Sequence, residues 1–315
     1  MMSYAELYLG GSGPLISGPE GRGGGDPKAC IFGIPFDATH SYRPGCRFGP
    51  DAIRAAFHNI EVFHPELGID LEEVELLDMG NTPHTASASH MVDVAGRVTG
   101  DVLSKGLPVF ILGGEHLLTR GTYAAFPESV AYVVFDAHYD LRDRYGDLSL
   151  NHATYLRRIA EVREAAGRAG ANDDDAGIGN NSNDCRILHV GARAFAAEEA
   201  AFLDNCRGCI KTITDGDVRD GRGPAMLRDF VSSYDRIYAS FDLDVLDPAF
   251  APGVGNPEAC GISPRELFDM VHAFGETGAR IVGSDIVELN PAYDTGATAA
   301  LAARLLSTTI AISVL

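Results

Sequence analysis

Eight stretches of the chain share one layout: a short run of β-forming apolar residues, then Gly and polar residues, then helix-compatible sequence. They are ACIFGIPFD (29–37), VELLDMGN (74–81), LPVFILGGEH (107–116), AYVVFDAHYD (131–140), CRILHVGAR (185–193), CIKTIT (209–214), RIYASFDLDVLDP (236–248) and ARIVGSDIVELNP (279–291). Ala-rich stretches between them, such as SHMVDVAGRVTGDVLS (89–104), read as helices. Regular strand–helix alternation implies a parallel sheet with helices on both faces. No linker and no internal repeat breaks the alternation, so residues 29–315 read as a single domain. Residues 1–28 read as a Gly-rich arm, either disordered or draped over the surface or a neighbouring subunit. The stretch GRAGANDDDAGIGNNSND (167–184) is poor in apolar residues and reads as a mobile surface insertion.

Polar residues gather at the carboxyl ends of three of these strands, where open parallel sheets bind ligands. VFILGGEH ends in His116; YVVFDAHYD ends in Asp136, His138 and Asp140; IYASFDLDVLDP ends in Asp242 and Asp244. In an extended backbone, residues two apart point the same way, with Leu243 turned aside. Two His and four Asp are therefore expected in one crevice. Four carboxylates in one pocket need counter-charge, and two divalent cations supply it. An oxygen-rich set with two imidazoles and no thiolate favours Mn²⁺, with Fe²⁺, Co²⁺ or Zn²⁺ as alternatives. Two-metal hydrolases hold their ions about 3.5–4 Å apart and activate a bridging water. Each motif alone is weak; three in the same polarity are not.

Composition narrows the classes. The 315 residues are 45% hydrophobic and 22% charged, which is globular. No run of about 18 apolar residues predicts a membrane span, and the N-terminus lacks the basic start and apolar core of a secretory signal. A cytoplasmic protein is expected. The balance of 44 acidic against 25 basic residues, net −19, has the wrong sign for a nucleic-acid partner. With Lys28, Lys105 and Lys211 as its only lysines, the surface suits a high-salt cytoplasm, with a base-composition bias that favours Arg as the alternative; on the first reading stability is expected to rise with salt. Six cysteines spread through the chain do not form a disulfide scaffold. Cys206 and Cys209 make one C-x-x-C without the second pair a structural zinc site needs.

The strand-end motifs resemble those of the arginase/agmatinase (ureohydrolase) family: GGEH (113–116), DAHYD (136–140) and SFDLDVLDP (240–248), in order. The similarity extends to GIPFDATHSYRPGCRFGPDAIR (33–54), FAPGVGNPEACGISPREL (250–267) and DIVELNPAYD (285–294), and covers roughly 29–312. Within the family the chain is most similar to archaeal-type agmatinases, which share the LRD…Y and HAT…RRI stretches. The resemblance implies a three-layer α/β/α fold on a mainly parallel eight-stranded sheet. It implies two Mn²⁺ per subunit, one held by His116, Asp136, Asp140 and Asp242, the other by Asp136, His138, Asp242 and Asp244. Asp136 and Asp242 would bridge, and a metal-bridging hydroxide would attack the guanidinium carbon to release urea and an amine. His152, in NHATYL, matches the proton-shuttling histidine, and Glu288, in DIVELNP, the carboxylate that holds the guanidinium. The implied activity is hydrolysis of agmatine to putrescine and urea, a step of polyamine biosynthesis, in a homo-oligomer of three or six subunits.

The chain also departs from the pattern. The Thr/Ser/Asn-rich loop with which arginases grip the amino-acid end of arginine is replaced by LRDRYGDLSLN (141–151), which disfavours arginine. Arg142 and Arg144 are awkward for a dicationic substrate unless they face Asp143 and Asp147 or point away, so guanidinobutyrate and formimidoylglutamate stay open. The insertion at 167–184 is longer than usual, and Cys46 and Cys260 fall in active-site loops without a role. His189 reads as a buried, hydrogen-bonded strand residue, and His40 as a pocket-lining candidate by position alone. His58, His64, His84, His90 and His272 have no partner pattern. Two other classes compete: a non-catalytic metal-binding relative, against which the complete ligand set argues, and a deacetylase-like hydrolase with one zinc.

Overall fold

The computed structural model describes residues 3–9, 15, 26–169, 186–206 and 209–315. Each of the eight segments supplies one strand of a single sheet: β1 (Ala29–Ile34), β4 (Leu76–Asn81), β5 (Val109–Gly113), β6 (Ala131–Phe135), β7 (Ile187–Val190), β8 (Ile210–Ile213), β9 (Arg236–Asp242) and β10 (Arg280–Val287). Their order is β4-β1-β5-β10-β9-β6-β7-β8, and every pairing in it is parallel. A two-stranded antiparallel hairpin, β2 (Phe63–His64) with β3 (Ile69–Asp70), was not expected.

Both faces of the sheet are covered. Ile31, Phe110, Leu112, Val133, Phe135, Ala239 and Phe241 join one core with α2 (Gly49–Phe57), α8 (Gly223–Val231), α9 (Pro264–Gly275) and α10 (Ala297–Ser313). Their neighbours Cys30, Phe32, Val109, Ile111, Tyr132, Val134 and Tyr238 join a second core with α3 (Ala88–Leu103), α4 (Leu118–Ala124) and α5 (Tyr155–Ala169). Alternate strand residues thus serve opposite helix layers, and strands buried on both sides read as unbroken apolar runs. The expected helix at 89–104 is α3, opened by Ser87, whose hydroxyl caps the His90 amide at 3.3 Å. The remaining helices are α6 (Ala197–Asn205) and α7 (Asp215–Arg219), and α1 (Tyr4–Tyr8), whose Ala5 amide donates to Asp101 on α3 at 2.9 Å. The stretch 170–184, most of the insertion read from the sequence, lies outside the described residues.

Strand order decides which loops meet. β10 and β9 lie between β5 and β6, so these four strands are consecutive in the sheet although they come from distant parts of the chain. All four run in the same direction, and the loops that follow them open onto one crevice.

Candidate metal centre

Each strand end delivers its side chains by a different local device. After β5 the chain turns at Gly113-Gly114, where a Cβ on Gly114 would stand 1.9 Å from the Phe36 carbonyl oxygen. Only glycine lets the two backbones approach so closely, and the turn carries His116 into the crevice. After β6 the backbone is not extended, contrary to the alternation expected from the sequence. The strand stops at Phe135, Asp136 Oδ1 accepts the His138 amide at 2.6 Å, and Asp140 sits at φ 52°. After β9, Asp242 Oδ1 accepts the Asp244 amide at 2.8 Å and opens a 3₁₀ turn. After β10, Glu288 takes φ 66°. Two non-glycine residues in the left-handed region at one site are strained, and the surrounding hydrogen bonds hold them there.

The six expected ligands converge. His116 Nδ1 lies 3.1 Å from Asp136 Oδ2, 3.2 Å from Asp242 Oδ2 and 4.0 Å from Asp140 Oδ2. His138 Nδ1 lies 2.9 Å from Asp244 Oδ2 and 3.6 Å from Asp136 Oδ1. His116, Asp136 and Asp140 form one group able to hold a cation, and Asp136, His138 and Asp244 a second. Asp136 belongs to both.

The donors fit divalent ions. Ser240 Oγ donates to Asp285 at 2.5 Å, so it must accept at His116 Nε2, 2.9 Å away. That places the ring proton on Nε2 and leaves the Nδ1 lone pair facing two carboxylates, an arrangement that only a positive charge between them satisfies. Neither His116 Nδ1 nor Asp136 Oδ2, both buried, has a hydrogen-bond partner among the described residues. The electrostatics of the cluster point to the same shortage of positive charge. Burial raises Asp140 and Asp242 well above the carboxylate range, with Asp136 and Asp244 respectively adding to it, and burial raises Asp244 too. Burial pulls both imidazoles down, but the carboxylates outweigh it and hold His116 and His138 far up.

A cavity of about 520 Å³ opens over this cluster, lined by His138, Asp140, His152, Asp242, Asp244 and Glu288 and, further out, by Tyr42, Arg142, Tyr145, Phe195 and Glu258. His152 is buried, which lowers it to about 4, and its Nε2 lies 3.2 Å from Ser41 Oγ. Glu288 Oε1 accepts the His116 amide at 2.9 Å, while Oε2 lies 2.8 Å from His40 Nε2. His40 therefore stands behind the cavity, stacked on His152 at 5.4 Å, and touches it through Glu288. Arg142 reaches Glu198 at 3.4 Å and Glu199 at 3.9 Å and lies over the Tyr145 ring; Arg144 bonds the Asp147 carbonyl. Asp143 pairs with Arg158 at 2.7 Å instead. His189 is buried, as expected, and bonds the His138 carbonyl at 2.7 Å.

Several residues of the site carry no signal that the sequence reading picked up. Asp285 accepts from Ser240, from Tyr238 at 2.6 Å and from Thr119 at 2.7 Å, anchoring the relay to His116. Tyr155 Oη also reaches His116 Nε2, at 2.9 Å. Buried Glu115, raised by burial to about 8, binds the Thr39 amide at 2.8 Å and ties the 37–47 loop to the site. A carboxylate inside an apolar strand, as in SDIVELN, was the available signal for Asp285. Away from the site, Cys206 and Cys209 are paired as a disulfide, and His64 bonds Ser307 at 2.7 Å, partners that spacing did not reveal.

The model of the arginase family matches residues 27–311. The agmatinase of Pyrococcus horikoshii is 33% identical over 91% of this chain and 93% of its own length. The guanidinopropionase of Pseudomonas aeruginosa is 31% identical over 88% of this chain and 84% of its own. The solved agmatine ureohydrolase of Thermoplasma volcanium superposes with a TM-score of 0.79 at 33% identity, covering 91% and 90% of the two chains. The chain belongs to the arginase family and is an agmatinase-like ureohydrolase.

Proposed function

We propose that the chain hydrolyses agmatine to putrescine and urea with two Mn²⁺ per subunit. The observation that carries this reading is the pair of ligand groups sharing Asp136 at the floor of a cavity that also presents Glu288 and His152. His116, Asp136, Asp140 and Asp242 would hold one ion, and Asp136, His138, Asp242 and Asp244 the other. Bound there, the ions supply counter-charge, polarise the guanidino group and make water acidic enough to yield a nucleophile at neutral pH.

The protein's own groups do the rest. Glu288 Oε1 accepts the His116 amide and keeps a further lone pair, while Oε2 faces His40 and the Cys46 thiol, a weak donor that a guanidinium can displace, so the carboxylate can take a planar guanidinium in a forked geometry. Burial keeps His152 neutral near pH 7, so its ring can accept a proton and pass it to the departing amine nitrogen. Arg142 is engaged by Glu198 and Glu199, and Glu258 stands at the cavity wall, which favours a cationic tail. A guanidino acid is the second reading, because Arg142 still lines the cavity. We place residues 29–315 in one catalytic unit with 1–28 as an arm, acting in the cytoplasm as a trimer or hexamer, as the family resemblance supports. Elemental analysis should find two ions per chain, and Asp136→Ala should lose both. One tightly bound Zn²⁺ with full activity would overturn the two-metal reading.

A further inference from the structure

A second cluster of metal-binding atoms lies directly behind Glu288. Cys46 Sγ is 3.3 Å from Glu288 Oε2 and 3.7 Å from His40 Nε2, and the last two are 2.8 Å apart. All three side chains are buried: Cys46 is fully enclosed, His40 is 1% and Glu288 5% exposed. The backbone of Gly255 closes the cluster, since a Cβ there would stand 2.1 Å from His40 Nε2. Nothing in the reaction above uses Cys46 or His40.

We propose that His40, Cys46 and Glu288 form a third cation site, selective for a thiophilic divalent ion such as Zn²⁺, whose occupation inhibits the enzyme. The geometry is near what such an ion requires. Zinc bonds of about 2.3 Å to sulfur and about 2.0–2.2 Å to nitrogen and oxygen put tetrahedral ligands about 3.4–3.6 Å apart. The sulfur–nitrogen separation lies within about 0.1 Å of what the ion needs, the sulfur–oxygen separation is about 0.3 Å short, and the nitrogen–oxygen separation needs to open by about 0.6 Å. A thiolate, a carboxylate and a neutral imidazole balance a double positive charge, with the thiol proton and the His40 Nε2 proton released to solvent on binding. The thiolate separates this site from the oxygen-rich pair, which suits a harder ion. Glu288 lines the cavity, giving the ion a route in and leaving one position for water. An ion on Glu288 Oε2 removes one prong of the guanidinium fork. Losing a charge-assisted hydrogen bond of that kind costs roughly 10- to 100-fold in kcat/KM.

The inhibitory effect rests on the role proposed for Glu288; the spectroscopy below does not, so the two can fail separately. Co²⁺ added to the Mn²⁺-loaded protein should give a near-ultraviolet thiolate-to-cobalt charge-transfer band, which ligands without sulfur cannot produce. Cys46→Ser and Cys46→Ala should abolish the band, and His40→Asn should weaken cobalt binding at least tenfold. Zn²⁺ should inhibit the wild type and spare Cys46→Ala, which keeps its Mn²⁺-supported turnover. No band in the wild type, a band that survives in the Cys46 variants and so arises at Cys30 or Cys260, or equal inhibition of wild type and Cys46→Ala would overturn the proposal.

Discussion

Tyr155→Phe isolates the hydrogen bonding that aims His116. The ring stacks on His116 at 4.2 Å, so phenylalanine keeps the packing and removes only the hydroxyl. That hydroxyl reaches His116 Nε2 at 2.9 Å and Tyr132 Oη at 3.2 Å, all fully buried. Leaving a buried polar group short of a partner costs about 1–3 kcal/mol. Removing an outer partner of a metal-ligating histidine weakens metal binding about 10- to 100-fold, or about 1.4–2.8 kcal/mol. The two ranges agree, so Mn²⁺ affinity should fall by one to two decades. Ser240→Ala should cost more, because it also strips a hydrogen bond from buried Asp285. Mn²⁺ titration of the metal-free proteins, read by calorimetry beside melting curves, measures both. Affinities within twofold of wild type in both variants would refute the idea that this relay aims His116.

His152→Ala should keep its metal content and lose turnover by about 10²–10⁴-fold; activity near wild type across pH would make His152 structural. The His40–Glu288 pair should leave a pH signature on the metal-free protein. Burial lowers His40, but Glu288 outweighs it and raises the group from 6.5 to about 9, so its stabilisation is full below 6.5 and fades as pH rises through 9. Burial raises Glu288, but His40 outweighs it and takes the group from 4.5 to about 2, so that contribution is full above 4.5 and fades as pH falls through 2. The melting temperature should therefore fall more steeply in wild type than in His40→Gln between pH 6.5 and 9, and parallel curves would contradict the pairing.

The sheet was legible because its strands are buried on both faces, so each reads as an apolar run ended by polar residues. The ligands were legible because that ending repeats in three strands that prove to be near neighbours. An extended backbone is not what makes them converge: side-chain-to-backbone turns at Asp136 and Asp242 aim these residues instead. The β2–β3 hairpin was invisible because two-residue strands carry no period. His40 and Cys46 were found only as loop residues, since their meeting with Glu288 spans more than 240 positions and depends on the fold. Asp285 looked like one polar residue in a strand, and its three hydroxyl donors come from two other elements, Thr119 on α4 and Tyr238 and Ser240 on β9.

The most direct test is urea release by the Mn²⁺-loaded protein, compared as kcat/KM for agmatine, 4-guanidinobutyrate and arginine. The account predicts that agmatine is preferred and that activity vanishes when the metal is removed. Preference for guanidinobutyrate, lost in Arg142→Ala, would replace agmatine with a guanidino acid, and no urea from any guanidino compound would contradict the account itself.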